Sequence, residues 1–218
     1  MTPFDALVLA GGSGRRMRGG RVADEGGRVG GGGVDKAALE VGGMRLLDRV
    51  IAAVDGAGRI VVVGPRRPSS AAVVWTIEDP EGAGPAAAIV HGLSLVSAPL
   101  VVVLATDVPF AATVVPRLIA ALADGEPESA VTVDQNRRRQ PLIAAYRTAA
   151  LRRRADERSS WANVAVRTLV ERLSVAEVDA VGSEALDCDT PQQLALARAV
   201  AEAEAEAAAK AAAASSPS

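Results

Sequence analysis

The sequence is poor in cysteine and in long apolar runs, and each scarcity excludes a class of protein. Its 218 residues include a single cysteine, Cys188, so a disulfide within the chain is impossible. The longest apolar run, around residues 100–105, is much shorter than the roughly 18 to 20 residues that a membrane-spanning helix needs. The segment MTPFDALVLAGG shows no basic leader before an apolar stretch. We therefore expect a cytoplasmic protein without a membrane partner, in which Cys188 is a small buried residue.

Net charge is also nearly absent. The 24 Lys+Arg residues are balanced by 26 Asp+Glu residues, which gives a formal net charge of -2. A protein whose main partner is DNA or RNA normally carries an excess of positive charge on its binding face. We expect no nucleic-acid partner.

Aromatic residues and lysine are scarce as well. Aromatics make up only 2% of the chain, so the core must be built from Val, Leu, Ile and Ala. Lysine occurs only at Lys36 and Lys210, whereas arginine and alanine are abundant, a pattern typical of a coding bias across a genome. Lys210 lies in a low-complexity tail, so Lys36 is the lysine that calls for a functional explanation.

The chain does contain a regular alternation of apolar segments. Strand-length runs rich in Val, Ile and Leu alternate with segments whose apolar residues recur at helical spacing. The predicted strands are residues 4–10, 60–64, 73–77, 100–106 and 130–133, and the predicted helical segments are 46–54, 86–96 and 114–122. Continuously apolar strands are typical of a parallel sheet covered by helices on both faces. The pattern predicts an α/β fold with a doubly wound, mostly parallel sheet flanked by helices.

Composition also suggests where this domain begins and ends. We assign residues 1–202 to the domain and residues 203–218 to a low-complexity Ala/Glu tail that we expect to be a frayed helix or disordered. Within the domain, residues 19–34 hold eight of the 21 glycines, which predicts a mobile insertion. Near the tail, the order Thr190-Pro191-Gln192-Gln193 predicts a helix that begins at Pro191 with Thr190 as its N-cap.

A glycine-rich turn follows the first predicted strand, at the edge of the sheet where such folds bind ligands. It reads LAGGSGRRM over residues 9–17. Glycines let backbone N–H groups approach an anion closely, and the two arginines add charge-assisted hydrogen bonds. The turn matches neither the dinucleotide fingerprint nor the Walker A pattern. Taken alone, it is equally compatible with a tight turn that binds no ligand.

Five motifs taken together resemble a known family. In chain order they are LAGGSGRRM, Asp35-Lys36 leading into AALEVGGMRLLDRV, EDPEGAGPAAAIVHGL, LATDVPF and DCDTPQQL. This order resembles the molybdenum cofactor guanylyltransferases of the glycine-rich-loop, MobA-like NTP transferase family, over roughly residues 4 to 200. The resemblance implies a Rossmann-like nucleotidyltransferase fold. It also implies a Mg²⁺-dependent enzyme that transfers GMP from GTP to the terminal phosphate of molybdopterin and releases pyrophosphate.

The resemblance implies a role for each residue that matches a family motif. The implied nucleotide-binding positions are Leu9, Ala10, Gly11, Gly12, Gly14, Arg15, Lys36, Asp79, Gly84, Pro85 and Asp107. The implied catalytic residues among them are Lys36, Arg15 and Asp107. The implied metal ligands are Asp107 and Asp189, and the implied acceptor-binding residues are Asp187, Arg139 and Gln140.

The chemistry of these residue types agrees with the implied reaction. Nucleotidyl transfer needs positive charge around a triphosphate, a divalent cation and a positioned nucleophile. Lys36 would supply a compact point charge to the phosphates. Asp107 follows a buried strand, so its carboxylate is expected at the ligand edge, where Mg²⁺ takes one or two carboxylate ligands.

Each assignment has a plainer alternative. Lys36 can be a solvated surface lysine, Asp107 a helix cap or turn residue, and Asp79 a turn residue before Pro80. Arginines 137–139 can be a solvated hairpin tip. In the resemblance, the guanylyltransferases usually show asparagines in an N-x-N-T-P arrangement where this chain has Asp187 and Asp189, which is closer to cytidylyltransferase and phospholactate guanylyltransferase relatives.

Two alternative functions follow from these departures. The first keeps the fold and uses CTP, as a molybdopterin cytidylyltransferase, or another phosphorylated acceptor such as a phospholactate or a sugar phosphate. The second is a catalytically inactive nucleotide-binding accessory protein, because the insertion at residues 19–34 splits the family's RMGG-x-DK spacing and can displace Lys36 from the phosphates.

Overall fold

Seven strands form one mixed sheet that organises the fold. The structure, a computed structural model, describes residues 2–11, 28–29, 33–123 and 125–214. The strands of the sheet are β1 (Phe4–Leu9), β6 (Ile60–Val63), β7 (Val74–Thr76), β8 (Leu100–Ala105), β9 (Ser129–Val133), β10 (Arg139–Arg147) and β11 (Val175–Asp179). Two short hairpins pair β2 (Arg28–Val29) with β3 (Gly33–Val34) and β4 (Glu40–Val41) with β5 (Met44–Arg45). The helices are α1 (Leu46–Ala53), α2 (Pro85–Gly92), α3 (Val114–Ala120), α4 (Thr148–Ala155), α5 (Val166–Val170) and α6 (Pro191–Ala214).

The order of strands in the sheet is β11-β9-β10-β8-β1-β6-β7. Strand β10 is antiparallel to both of its neighbours, and the pairs β1/β8, β1/β6, β6/β7 and β9/β11 are parallel. Six strands therefore run in one direction and end at one edge of the sheet, which we call the carboxyl edge. The predicted doubly wound, mostly parallel sheet is confirmed.

Alternate residues of the central strands pack on opposite faces of the sheet. On one face, Val102 and Leu104 of β8 pack with buried residues of α1 and α3. On the other face, Val101 and Val103 pack with buried residues of α2, α4 and α5. Since both faces are covered, all of β1 and all of β8 except Ala105 are buried, which explains why both are apolar throughout apart from Asp5 in β1.

The short strands β2 to β5, and the elements of the second half that lack a simple apolar pattern, were not predicted from the sequence. Strand β10 shifts register between Gln140 and Ala144, with Pro141 inside the irregularity, where the lost backbone donor is tolerated. Helix α4 reads TAALRRRA and owes its packing to a few buried residues, including Arg154. Strand β11 is a half-exposed edge strand. Predicted and observed bounds of the other elements differ mostly by one or two residues, as is usual at element ends.

Helix α6 begins as predicted and then continues into the tail. Thr190 Oγ1 accepts a hydrogen bond from Gln193 N (3.2 Å), so Thr190 is the N-cap. The first turns of α6 bury Leu194, Ala197 and Ala201 against the β4 region, whereas residues 202–212 are exposed. The helix is continuous across the predicted domain boundary at residue 202, and residues 215–218 lie outside the described part. Within the described ranges, no helix combines the length and apolar character that crossing a membrane requires.

Candidate active site

The carboxyl ends of the central strands are tied to one another by backbone hydrogen bonds. Thr106 N donates to the Leu9 carbonyl (3.1 Å), and Ala10 N donates to the Val63 carbonyl (2.8 Å). The segments that leave β1, β6 and β8 therefore start side by side. Because parallel strands bring their C-terminal loops to one edge, residues far apart in sequence can meet there.

Lys36 contacts side chains from two such distant segments. It opens a short 3-10 turn that Asp35 caps, because Asp35 Oδ1 accepts a hydrogen bond from Ala37 N (3.2 Å). The Lys36 ammonium donates to Asp107 Oδ2 at 3.2 Å and also to Asp189 Oδ1. We call these three side chains, Lys36, Asp107 and Asp189, the Lys36 cluster. The structure thus brings together three residues that the sequence analysis singled out.

A buried backbone contact holds the two carboxylates at this point. Cys188 N donates to the Asp107 carbonyl (2.9 Å), which joins the segment that precedes α6 to the loop that follows β8. Cys188 itself is fully buried, in a small core with Phe110, Leu46 and Leu194. The expectation that Cys188 is a small buried residue is confirmed, and its burial fixes Asp189 relative to Asp107.

Burial and charge shift the pKa values of this region. Burial disfavours the Lys36 ammonium, but the hydrogen bonds and negative charges of Asp189 and Asp107 outweigh it, so the pKa of Lys36 is raised. Burial, together with the charges of Asp189 and Asp107, raises the pKa of Asp187. Burial, and after it the negative charges of Asp107 and Asp187, raises the pKa of Cys188 to about 12. The thiol of Cys188 therefore stays protonated at neutral pH. The carboxylates of this edge therefore favour a cation between them.

The donor set suits a hard divalent cation. Asp107 Oδ2 and Asp189 Oδ1 both approach the single Nζ atom of Lys36, so the two carboxylates converge on one point. Mg²⁺ is bound through one or two carboxylates together with water and substrate phosphate oxygens. Among the described residues, no group of three or more His, Cys, Asp or Glu side chains is arranged to hold a metal. A metal at Asp107 and Asp189 would therefore complete its coordination with phosphate and water oxygens.

The start of the glycine-rich turn rests on the segment that leaves β6. Gly64 has φ +145°, and a Cβ atom there would lie 2.7 Å from Ala10 C and Gly11 N, so glycine is required by the close approach of the two backbones. Leu9 and Ala10 are buried and Gly11 is exposed. Gly12, Gly14 and Arg15 lie outside the described residues, as does most of the predicted insertion at residues 19–34.

The predicted nucleobase side lies in the loop after β7. Asp79 is exposed, and Gly84, with φ +95°, is the N-cap of α2, whose first residue is Pro85. The neighbouring Glu78, to which the sequence motifs assigned no role, is a buried carboxylate that accepts a hydrogen bond from Gly82 N (3.1 Å). A Cβ atom on Gly11 would lie 3.9 Å from Glu78 Oε1, so this loop approaches the glycine-rich turn.

The predicted acceptor residues are divided between two places. Asp187 lies next to the Lys36 cluster, and Gln193 Nε2 donates to its carboxylate. Arg139 and Gln140 open β10 at the carboxyl edge, but their hydrogen bonds go to Glu177 (2.8 Å) and Asp134 (2.8 Å) rather than to that cluster.

Arg139 belongs to an exposed group of charges that we call the hairpin cluster. Its members are Arg137, Arg139, Glu177 and Asp179, joined by three ion pairs of 2.6 to 3.1 Å. Arg137, in the turn between β9 and β10, has φ +60°. In this arrangement the hairpin arginines are neutralised by β11 of the same sheet.

Three other polar side chains, His91, Arg152 and Arg154, make structural contacts. His91 Nε2 is 2.7 Å from Thr76 Oγ1. Arg154 is buried and donates to the carbonyls of Leu169 (3.0 Å) and Thr168 (2.9 Å), and Arg152 donates to the Val96 carbonyl (2.6 Å). Two of these carbonyls, of Thr168 and Leu169, belong to the last turn of α5, where side-chain donors commonly bind.

One further cation at the edge was missed from the sequence. Arg67, in the segment after β6, pairs with Asp35 and donates to the Ala10 carbonyl. Its position three residues beyond Gly64, after a predicted strand, was the available signal.

Comparisons with known proteins agree on the family and the fold. A family model described as MobA-like NTP transferase domain matches residues 6–178. Molybdopterin-guanine dinucleotide biosynthesis protein A from Archaeoglobus fulgidus superposes with a TM-score of 0.66 at 19% identity, covering 91% of this chain and 98% of that chain. A search of curated protein sequences finds no significant match.

Cytidylyltransferases share the fold equally well. The 2-C-methyl-D-erythritol 4-phosphate cytidylyltransferase from Thermus thermophilus has a TM-score of 0.64 at 22% identity, covering 93% of this chain and 100% of that chain. The inositol-1-phosphate CTP transferase from T. maritima has a TM-score of 0.64 at 14% identity, covering 88% of this chain and 92% of that chain. The predicted Rossmann-like nucleotidyltransferase fold is confirmed.

Proposed function

The chain belongs to the MobA-like NTP transferase family and is a nucleotidyltransferase, and from this premise we propose that it transfers GMP from GTP to the terminal phosphate of molybdopterin. An oxygen of the acceptor phosphate attacks the α-phosphorus of GTP. The new bond joins that oxygen to the α-phosphorus, the bond between the α-phosphorus and the bridging oxygen breaks, and pyrophosphate leaves. The proposed setting is the cytoplasm.

The observation that carries the proposal is the Lys36 cluster. Two carboxylates and an ammonium from three distant segments meet at the carboxyl edge, beside the start of the glycine-rich turn. Phosphoryl chemistry depends mainly on positioned charge, so such a convergence is what the reaction requires of the protein.

The residues of the chain have separate tasks in this proposal. Backbone N–H groups of Gly11, and of Gly12 and Gly14 beyond the described residues, bind the triphosphate, with Arg15 assisting. Lys36 moves from the carboxylates to the phosphates and stabilises the charge that develops on the pyrophosphate. Mg²⁺ held by Asp107 and Asp189 would neutralise phosphate charge and fix the phosphate oxygens.

The nucleobase and acceptor sides complete the proposal. Asp79 and the Gly84-Pro85 start of α2 bind the guanine or the ribose. Asp187 lies on the acceptor side of the Lys36 cluster. Arg139 and Gln140 would exchange their present partners for the acceptor phosphate.

A CTP-dependent reaction, or one with another phosphorylated acceptor, is the second candidate. The observation that favours it is the pair of aspartates, Asp187 and Asp189, at the start of α6, together with cytidylyltransferases among the proteins of the same fold. GTP and CTP differ only in the base, so the hydrogen bonds made to the base would decide between the two nucleotides.

Pyrophosphate release tests the proposal. The purified protein is incubated with Mg²⁺ and GTP, CTP, ATP or UTP, with and without molybdopterin. We expect release only with GTP and molybdopterin together. Release with CTP would establish the CTP-dependent reaction. Binding of GTP without release under any condition would indicate another phosphorylated acceptor or the inactive binding protein.

A further inference from the structure

Arg67 joins three parts of the carboxyl edge through one guanidinium group. Its Nε donates to Asp35 Oδ2 (2.7 Å), and its Nη1 donates to the carbonyls of Ala10 (3.2 Å) and Pro65 (2.7 Å). A planar guanidinium with several fixed donors is suited to hold such acceptors in one arrangement.

Two of these acceptors lie in the segments that carry the proposed phosphate-binding residues. Ala10 is the residue from which the glycine-rich turn departs. Asp35 directly precedes Lys36 and caps its 3-10 turn through Ala37 N. A single side chain therefore sets the distance between the start of the glycine-rich turn and the segment that carries Lys36.

The surroundings of Arg67 make this connection rigid. The side chains of Arg67 and Asp35 are each only 12% exposed, so their ion pair is screened much less than a surface pair. The segment that carries Arg67 begins at Gly64, whose backbone lies against Ala10 and Gly11. Neighbouring Arg66 is exposed, which shows that the two adjacent arginines have different environments.

We propose that Arg67 is a positioning residue for nucleotidyl transfer. It holds the segment of Lys36 and the backbone at Ala10 in the relative placement that one NTP triphosphate needs, without itself having to touch the nucleotide. This inference rests on the proposed function, because it concerns the same triphosphate site.

The experiment compares Arg67→Met with the adjacent control Arg66→Met. Both variants lose one arginine from the same loop, and only the first loses the contacts to Ala10 and Asp35. Kinetic constants are measured per folded molecule, with the folded fraction taken from urea unfolding. We expect Arg67→Met to lower kcat/KM for the NTP about 10- to 100-fold, because a small misplacement of phosphate ligands is costly. Arg66→Met should stay within about 3-fold of the unmodified protein.

Two milder changes keep the test decisive if Arg67→Met folds poorly. Asp35→Asn removes the charge of the partner carboxylate, and Arg67→Lys replaces the guanidinium with an ammonium. A double variant that combines the two changes tests whether the two residues act as one unit. We expect the double variant to lose little more than the worse single variant. Added guanidinium ion should restore part of the activity of Arg67→Ala and none of the activity of Asp35→Asn.

The outcomes separate this inference from the proposed function. An active unmodified protein whose Arg67→Met and Arg66→Met variants have equal kcat and KM would overturn the role of Arg67 alone. Loss of folded protein with unchanged kcat and KM in the folded fraction would also overturn it, because a merely structural arginine behaves in that way. An unmodified protein that releases no pyrophosphate from any NTP would overturn the proposed function itself.

Discussion

Two groups of opposite charges lie at the same edge of the sheet, and they differ in burial and in origin. In the Lys36 cluster, the lysine side chain is 17% exposed and each aspartate 24%, and the three residues come from segments more than 70 positions apart at the closest. In the hairpin cluster, the side chains of Arg137 and Asp179 are 66% and 75% exposed. Sequence motifs drew attention to both groups.

The comparison teaches which property distinguishes the charges of the proposed active site from an ordinary surface group. The hairpin cluster contains more arginine, but exposed ion pairs are screened by water and contribute little. The Lys36 cluster has fewer charges in a less solvated place, where each charge interacts more strongly with its neighbours. Burial and convergence of distant segments, rather than density of positive charge, therefore mark the site.

The largest expected difference between the clusters is in activity. Lys36→Met should lower the rate of pyrophosphate release by about 100- to 1,000-fold, because a positioned cation that stabilises developing charge is lost. Arg137→Met, which removes a cation from the hairpin cluster, should change the rate less than about 3-fold. Steady-state kinetics on both variants measures the contrast, and equal losses would remove the distinction that we draw.

A second difference concerns metal affinity in the absence of nucleotide. The Lys36 ammonium lies between the carboxylates of Asp107 and Asp189, so it competes with a divalent cation for them. Lys36→Met should raise the affinity for Mn²⁺ by about 10-fold or more, whereas Arg137→Met should leave it unchanged. Titration of free Mn²⁺ followed by electron paramagnetic resonance measures both values. Weaker Mn²⁺ binding by Lys36→Met would show that the metal does not use this carboxylate pair.

A smaller effect, on the free energy of unfolding, is expected at Glu184, a buried carboxylate that lies outside both clusters. Glu184 accepts hydrogen bonds from Thr113 Oγ1 (2.6 Å), Val181 N (2.7 Å) and Arg117. Burial alone would raise the pKa of Glu184, but these donors outweigh it and lower the pKa. A lowered pKa in the folded state stabilises the protein above the unfolded value of about 4.3, and this contribution is lost as the pH falls through the folded value.

Glu184→Gln should therefore reduce the free energy of unfolding by about 1 to 3 kcal/mol at pH 7, and the loss should shrink below about pH 4. Its control in the hairpin cluster, Glu177→Gln, should cost at most about 1 kcal/mol at either pH. Urea unfolding at the two pH values gives both numbers. A loss for Glu184→Gln that does not depend on pH would contradict the charge-based explanation.

The sequence was sufficient for the central parallel strands of the sheet and for the three residues of the Lys36 cluster. Continuous apolar runs at residues 60–64 and 100–106, each followed by a loop, predicted a parallel sheet and placed Asp107 at its carboxyl edge. The unusual retention of Lys36 in a lysine-poor chain identified a residue that the structure places between Asp107 and Asp189.

The remainder depends on contacts that a linear pattern does not display. Strand β10 contains a proline and a register shift, and α4 is rich in arginine, because neighbouring elements rather than apolar periodicity stabilise them. Arg67 acts through a partner that is distant in sequence, Asp35, and the burial of Glu78 depends on the fold around it. The predicted pairing of Arg139 and Gln140 with an acceptor stays a prediction, because the structure gives both residues other partners.

The most direct test of the account is pyrophosphate release by Asp107→Asn compared with Asp179→Asn. Both variants replace one ion-paired aspartate at the carboxyl edge with its neutral isostere, one in the Lys36 cluster and the other in the hairpin cluster. We predict that Asp107→Asn still binds the nucleotide but loses at least about 100-fold in rate, and that Asp179→Asn retains the rate of the unmodified protein. Full activity of Asp107→Asn, or equal losses in the two variants, would contradict the account.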